Sequence, residues 1–282
     1  MCLILVAWHA HPDYALVVAG NRDEFYARPA APAHWWHDAP HVLGGRDLAE
    51  VIGDAGTWMG IANLPGQDTW SGARFAALTN FRAPSEKRVD ARSRGELVSH
   101  FLRGEQAPRD YLNALARDHG AYNGFNLLAS DMHDLWWYSN RAPSRQPQRL
   151  TPGVYGLSNA LLDTPWPKVR SRVGAMCEVL AADRGDSGAS AEPYLQMLGD
   201  ERQALDFELP STGVSYEWER VLSSAFIRSP SYGTRASTLL RVRHDGRFDF
   251  SERSFGAEGQ IGEVSYRGQL DMARDPDVPA PR

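Results

Sequence analysis

Apolar and polar positions change period several times along the chain, and those changes mark its elements. Residues 2–8 (Cys2-Leu3-Ile4-Leu5-Val6-Ala7-Trp8) form a continuous apolar run, and residues 14–20 (Tyr14-Ala15-Leu16-Val17-Val18-Ala19-Gly20) form a second. Between them, His9-Ala10-His11-Pro12-Asp13 has turn character. Two short β-forming runs around a turn predict an antiparallel hairpin, and their lack of alternation predicts burial on both faces. If residue 8 pairs with residue 14, residue 2 pairs with residue 20. On that register Asn21-Arg22-Asp23-Glu24 lies at the strand exit, beside Cys2.

Beyond the hairpin, residues 26–41 read as a long connection, with Pro29, Pro32, Pro40 and the cluster His34-Trp35-Trp36-His37. Residues 57–62 and 75–80 read as paired strands, with a polar connection from Asn63 to Arg74. Ser93-Arg94-Gly95-Glu96 is a capping-box pattern that opens a helix to about Leu102, with Ser93 as N-cap. A second helix covers about 109–118, with Tyr111, Leu112 and Leu115 on one side. Strands follow near 124–130, 134–139 and 153–159. Residues 165–182 are the longest predicted helix, where Val169, Val173, Met176, Cys177 and Leu180 recur at helical spacing and place Cys177 in the core. A shorter helix spans about 192–198, and four strands are expected at 223–227, 234–242, 247–252 and 261–265. Residues 273–282, with three prolines, read as a disordered tail. The pattern alone gives one α+β domain with antiparallel sheet over residues 1–272.

Composition narrows the class. Of 282 residues 43% are hydrophobic, enough for a sizeable core, and the net charge of −5 argues against a general nucleic-acid binder. Among 30 basic residues only Lys87 and Lys168 are lysine, a bias that points to a GC-rich bacterial genome. With two cysteines, a disulfide framework is not expected. No basic region precedes the first apolar run, and no apolar stretch approaches membrane-spanning length, so a cytoplasmic protein without a membrane span is expected.

The candidate chemistry begins at Cys2. A small second residue permits removal of the initiator methionine. Cys2 then carries a thiol and a free α-amine, the nucleophile and base of an N-terminal nucleophile hydrolase. A guanidinium beside a thiol lowers its pKa, and a carboxylate holds an ammonium in place. The plainer reading makes Cys2 a small buried residue and the tetrad an ion pair at a strand exit. The residues alone leave these two readings level.

Further blocks follow in order: Gly45-Arg46-Asp47, Gly56-Thr57-Trp58-Met59-Gly60, Leu78-Thr79-Asn80-Phe81-Arg82, Tyr122-Asn123-Gly124-Phe125-Asn126-Leu127, Gly156-Leu157-Ser158-Asn159 and Tyr232-Gly233-Thr234-Arg235. With Met-Cys and Asn21-Arg22-Asp23-Glu24, these resemble the NRDE family, also called the transport and Golgi organisation family, over residues 1 to about 240. The family is similar in layout to the cysteine N-terminal nucleophile amidases that cleave bile-salt and penicillin amides. That resemblance implies an α+β, four-layer αββα fold with two stacked antiparallel sheets. It implies Cys2 as nucleophile on a small-molecule acyl or amide substrate, with Arg22 and Asp23 positioning the N-terminus. Asn80 and Asn159 would donate to an oxyanion, and Arg235 would reach the nucleophile from a late strand. Such donors contribute about 2.7–4 kcal/mol in the best-studied case. The plainer reading of each Asn is a turn residue bonded to its own backbone, and of Arg235 a surface salt bridge. The amidases space their Arg and Asp differently from the adjacent Arg22-Asp23.

The enzyme reading needs no cofactor. A second reading is a carrier of haem or a hydrophobic metabolite on the same fold, since the family's eukaryotic members are connected with haem handling and Golgi organisation. Nine tryptophans, with aromatic pairs at 35–36 and 136–138, suit a flat apolar ligand. His34, His37 and His41 lack a zinc-ligand pattern and read as loop residues. A third reading is a hydrolase fold kept only as scaffold.

Overall fold

The computed structural model describes residues 2–49, 55–64, 72–186 and 188–272. The predicted tail at 273–282, and most of the connection between Asn63 and Arg74, lie outside the described residues. The strands in chain order are β1 Cys2–Trp8, β2 Tyr14–Phe25, β3 Ala30–Trp36, β4 Ala39–Asp47, β5 Met59–Asn63 and β6 Ala73–Asn80. They continue with β7 Phe125–Ser130, β8 Leu135–Ser139, β9 Gln148–Leu150, β10 Gly153–Leu157, β11 Tyr232–Arg243, β12 Arg247–Gly256 and β13 Gly259–Gln269. The helices are α1 Gly95–Arg103, α2 Pro108–Arg117, α3 Pro167–Ala182, α4 Glu192–Leu198 and α5 Tyr216–Val221.

Two antiparallel sheets carry the chain. The first runs β10-β1-β2-β11-β12-β13 and the second β3-β4-β5-β6-β7-β8-β9. Alternation along β1 explains its unbroken apolar run. Cys2, Ile4, Val6 and Trp8, with Leu16 and Val18, pack against Leu43, Met59, Ile61, Phe75 and Leu128 of the second sheet. Leu3, Leu5, Ala7, Val17 and Ala19 point the other way, onto Val169, Met176, Leu180, Tyr194 and Leu198 of α3 and α4. The outer face of the second sheet packs through Ala62, Ala76, Leu78 and Leu127 on Leu97, Phe101, Leu102 and Leu112 of α1 and α2. A strand buried on both faces needs apolar residues at every position. Gly56 sits where α1 begins: a Cβ there would lie 2.6 Å from the Gly95 backbone.

The structure corrects several sequence expectations. The hairpin pairs Trp8 with Leu16 and Cys2 with Arg22, two residues from the expected register. His9 takes a left-handed conformation (φ 43°) and its N–H bonds the Ala15 carbonyl, so the connecting loop is longer than a tight turn. Residues 26–41 contain β3 and the start of β4, not a loop. β3 is a sheet edge, where Pro32 removes no ladder bond that a neighbour needs. The capping box is not formed. Arg94 is the N-cap and makes no side-chain capping bond, its Nη1 donating instead to the Gly124 carbonyl at 3.1 Å, and the Glu96 carboxylate is drawn to Tyr122 Oη at 2.6 Å and Arg92 Nη2 at 2.5 Å. Residues 223–227 follow α5 as turns rather than forming a strand. Cys177 is exposed: it lies about 100° around α3 from the buried Met176, off the inward face.

Candidate active site

Cys2 opens β1 and is 7% exposed. β2 runs through the whole polar tetrad because β11 pairs with it as far as Phe25, opposite Tyr232. The tetrad is therefore strand, not strand exit, and its side chains alternate. Arg22 pairs directly with Cys2. Asn21 and Asp23 point to the opposite face. Asn21 is a fully buried staple: its amide donates to the Leu198 and Ala225 carbonyls at 2.9 and 2.8 Å and accepts from Ser237 Oγ at 2.7 Å. Burial pushes the Cys2 thiol up. The amino-terminal charge, then the Arg22 charge and the Asp23 backbone N–H, pull it down without prevailing, while the Asp23 charge adds to the rise. The depressed thiol pKa expected from the sequence is not found in the chain that carries Met1, whose residue 2 has a peptide nitrogen and no amine.

Beneath this strand lies a buried charge cluster. Asp23 is 1% exposed and its Oδ1 accepts from Thr234 Oγ1 at 2.7 Å. Burial raises its pKa, while the Lys168 and Arg82 charges oppose that. Lys168, the second residue of α3, is 3% exposed, and its Nζ has no hydrogen-bond partner among the described residues. Burial lowers its pKa to about 8 against the attraction of Asp23. Arg82 donates to Glu219 Oε2 at 2.7 Å, and both side chains are buried. It also lies over the Trp166 ring at 4.6 Å. The other Glu219 oxygen accepts from Thr212 N and Oγ1 at 2.7 and 2.6 Å. Sequence reasoning missed Lys168, Arg82, Glu219 and Thr234 as site residues. One signal was present for Lys168: a lysine kept in a chain that otherwise writes nearly every basic residue as arginine.

The two asparagines meet each other. Asn159 is fully buried, and its Nδ2 donates to the Asn80 carbonyl at 2.9 Å. The Asn159 carbonyl accepts from the Arg82 N–H at 2.7 Å. Ser158 Oγ donates to the Cys2 carbonyl at 2.9 Å, and Thr79 Oγ1 donates to the Ser158 carbonyl at 2.5 Å. Asn80, at the end of β6, is half-buried and lines a cavity of about 410 Å³. Phe25, Phe81, Trp218 and Tyr232 form its aromatic walls, with Glu24 and Arg94 among its charged groups. The Cys2 charge acts on both Arg94 and Tyr232, which puts the thiol within electrostatic reach of this cavity.

Arg235 sits on the irregularity between Thr234 and Ala236, and its Nη1 donates to the Phe25 and Arg28 carbonyls at 3.1 and 2.6 Å. Arg22 Nη2 lies 3.7 Å from Asp47, whose carboxylate is held by Arg28 at 2.8 Å. Arg22 and Arg235 share a second cavity of about 250 Å³ with Trp58 and Glu252, between the two sheets. Register and strand ends thus gather Cys2, Arg22, Asp23, Asn80 and Asn159, while the Arg235 guanidinium is held by the Phe25 and Arg28 carbonyls beside the second cavity, with no contact to Cys2 among the described residues. His34 lies on β3, His37 in the following turn and His41 on β4. Among the described residues no group of three or more His, Cys, Asp or Glu is placed to hold a metal ion.

The molecule is a sheet-rich α+β protein with a cysteine at the head of its first strand and a buried charge cluster beneath it. The family model for Transport and Golgi organisation 2 matches residues 1–257, and the chain belongs to that family. It is 38% identical to the Transport and Golgi organization protein 2 homolog of Bos taurus over 271 residues, covering 90% of this chain and 93% of the relative. The Homo sapiens homolog is 36% identical over 269 residues, with the same coverages. Transport and Golgi organization protein 2 of Drosophila melanogaster is 28% identical over 280 residues, covering 93% and 95%. These relatives are animal proteins and give no support to the bacterial origin suggested by the arginine bias. No helix among the described residues is long and apolar enough to cross a membrane.

Proposed function

We propose that the protein is an N-terminal nucleophile hydrolase that cleaves a nonpeptide amide or related acyl compound, with Cys2 as nucleophile. The observation that carries this reading is the Cys2–Arg22 register, which sets a strand-heading cysteine opposite a guanidinium with Asp23 beside it. Helices against the outer faces of two stacked sheets fit the four-layer αββα arrangement of such hydrolases.

On this reading, loss of Met1 frees the Cys2 α-amine, whose ordinary pKa of about 7.7–8.0 suits a base near neutral pH. The amine takes the thiol proton as sulfur attacks the substrate carbonyl. Asn80, and the Asn159 amide hydrogen not given to Asn80, donate to the developing oxyanion. The ammonium then protonates the leaving nitrogen, the C–N bond breaks, and water hydrolyses the thioester. Asp23 orients the ammonium, and Arg22 and Arg235 hold a carbonyl or carboxylate of the substrate. Two measurements test this. Intact mass of protein from its native host should show Met1 absent. Hydrolysis of acyl amides should vanish in Cys2→Ala; a retained or acetylated N-terminus, or turnover that survives the substitution, overturns the reading.

The aromatic-walled cavity favours a second reading, a carrier of haem or another hydrophobic metabolite without catalysis. Haemin titration followed in the visible range supports it if binding saturates at one equivalent and persists in Cys2→Ala. Absence of saturable binding removes haem as its ligand.

A further inference from the structure

The nucleophile reading leaves Lys168 unused, although it is the most unusual charged group near Cys2. A lysine ammonium carries three donors, and its burial without partners costs several kcal/mol unless a nearby charge compensates. The neighbouring charges are mostly matched already. Arg82 is paired with Glu219 at 2.7 Å. On α3 itself, Arg170 is paired with Glu208 at 2.9 Å and Arg172 with Asp200 at 2.8 Å, and Arg202 also bonds Asp200 at 2.8 Å. On the other face of β2, Arg22 lies by Asp47. Asp23 is buried on the same face of β2 as Asn21, which bonds the end of α4, and it exerts the largest attraction that Lys168 feels. The first turn of α3 presents the positive end of the helix dipole, which makes Lys168 more dependent on Asp23 still.

Asp23 is also the carboxylate assigned to the Cys2 ammonium. One buried carboxylate cannot fully neutralise two buried cations, so a second proton on the cluster leaves an uncompensated charge. Two amines coupled in this way titrate as a pair.

We propose that Lys168 is a positioning residue that competes with the Cys2 α-amine for Asp23, so that the two amines hold one proton between them and the α-amine stays free to act as base. Arg82 adds to this by placing a permanent positive charge on the same cluster. The inference rests on the nucleophile reading above, because the α-amine exists only once Met1 is gone. It assigns Lys168 no contact with substrate.

The chain is well suited to the test, because it has two cysteines and two lysines. Carbon-13 labelling of cysteine and of lysine Cε gives resonances for Cys2, Cys177, Lys87 and Lys168 alone. The protein is freed of Met1 by methionine aminopeptidase and titrated by NMR. In Lys168→Met the Cys2 α-amine should bind its proton about tenfold more tightly than in the wild type. In Lys168→Arg, which keeps the charge, it should bind no more tightly. An α-amine titration unchanged in a folded Lys168→Met protein overturns the proposal.

If that variant does not fold, the wild-type sequence decides. In the protein freed of Met1, the Lys168 and α-amine resonances should each titrate in two coupled steps, and two independent single-midpoint curves overturn the proposal. Failure of the hydrolase reading is separable. Coupled titration without hydrolysis of any acyl amide keeps the Lys168 assignment and removes the enzyme. Hydrolysis with an α-amine indifferent to Lys168 does the reverse.

Discussion

Ser158 Oγ donates to the Cys2 carbonyl at 2.9 Å, joining residues 156 positions apart in the chain. The bond fixes the main chain of residue 2 where β10 ends beside β1, and Asn159 follows directly. The hydroxyl that holds the cysteine backbone is thus covalently next to a proposed oxyanion donor.

Ser158→Ala should leave the buried Cys2 carbonyl without this donor. The expected loss is about 1–3 kcal/mol of stability, the cost of an unsatisfied buried acceptor. Urea unfolding measures it. If Cys2 is the nucleophile, turnover should fall further than stability explains, because the reacting residue loses its tether. A midpoint unchanged from the wild type would show that water replaces the hydroxyl at no cost.

Glu219→Ala should be more damaging. It removes the carboxylate paired with the Arg82 guanidinium, which is buried against the Trp166 ring, and the acceptor of Thr212. Breaking a buried pair by deleting one partner costs about 3–5 kcal/mol. The double variant Arg82→Met with Glu219→Leu should recover part of that loss, since neither charge of the pair then remains. Denaturant midpoints of the two variants decide, and equal destabilisation would argue against electrostatics as the cause.

Thiol reactivity should run opposite to the sequence expectation while Met1 is attached. Cys177 is exposed, and Cys2 is buried with its pKa raised by desolvation. Iodoacetamide at neutral pH should therefore label Cys177 first. Arg22→Ala should move the Cys2 profile to still higher pH, because the Arg22 charge favours the thiolate. Competition labelling with peptide mapping reads both effects. Faster labelling of Cys2 would mean that the strand end opens in solution.

Stability should rise with pH on the alkaline side. Lys168 releases its proton near pH 8 when folded and near 10.5 when unfolded. Between those values the unfolded chain holds more protons, so the slope of unfolding free energy with pH is positive. The cost of charging Lys168 is fully present below pH 8 and is relieved as pH climbs through the window, by on the order of 3 kcal/mol in total. Wild type and Lys168→Met, both carrying Met1, can be compared by urea unfolding from pH 7 to 10. The difference between them should narrow as pH rises, and parallel curves would place the ammonium in contact with solvent.

Local pattern determined much of the secondary structure. The unbroken apolar run at β1, the pairs β5–β6 and β7–β8 and the helices α1 to α4 follow from period, length and turn residues, which neighbouring positions encode. The family blocks also marked Cys2, Arg22, Asp23, Asn80, Asn159 and Arg235 before any geometry was known. Tertiary structure decided the rest. β3 escapes a local reading because an edge strand tolerates the prolines that argue against an interior one. The register of Cys2 against Arg22 depends on the conformation of the connecting loop at His9, and on β11 extending β2 to Phe25. A shift of two residues preserves which face each side chain takes, so the hydrophobic pattern could not detect it. Cys177 and Met176 are neighbours in sequence and look equally apolar, yet the inward face of α3 takes only one of them. Lys168 acquires its meaning only because α3 packs on β10 and β1 and brings its ammonium into a water-poor space within the field of Asp23. Burial of a charge is a property of everything packed around it, and no local window of sequence contains that information.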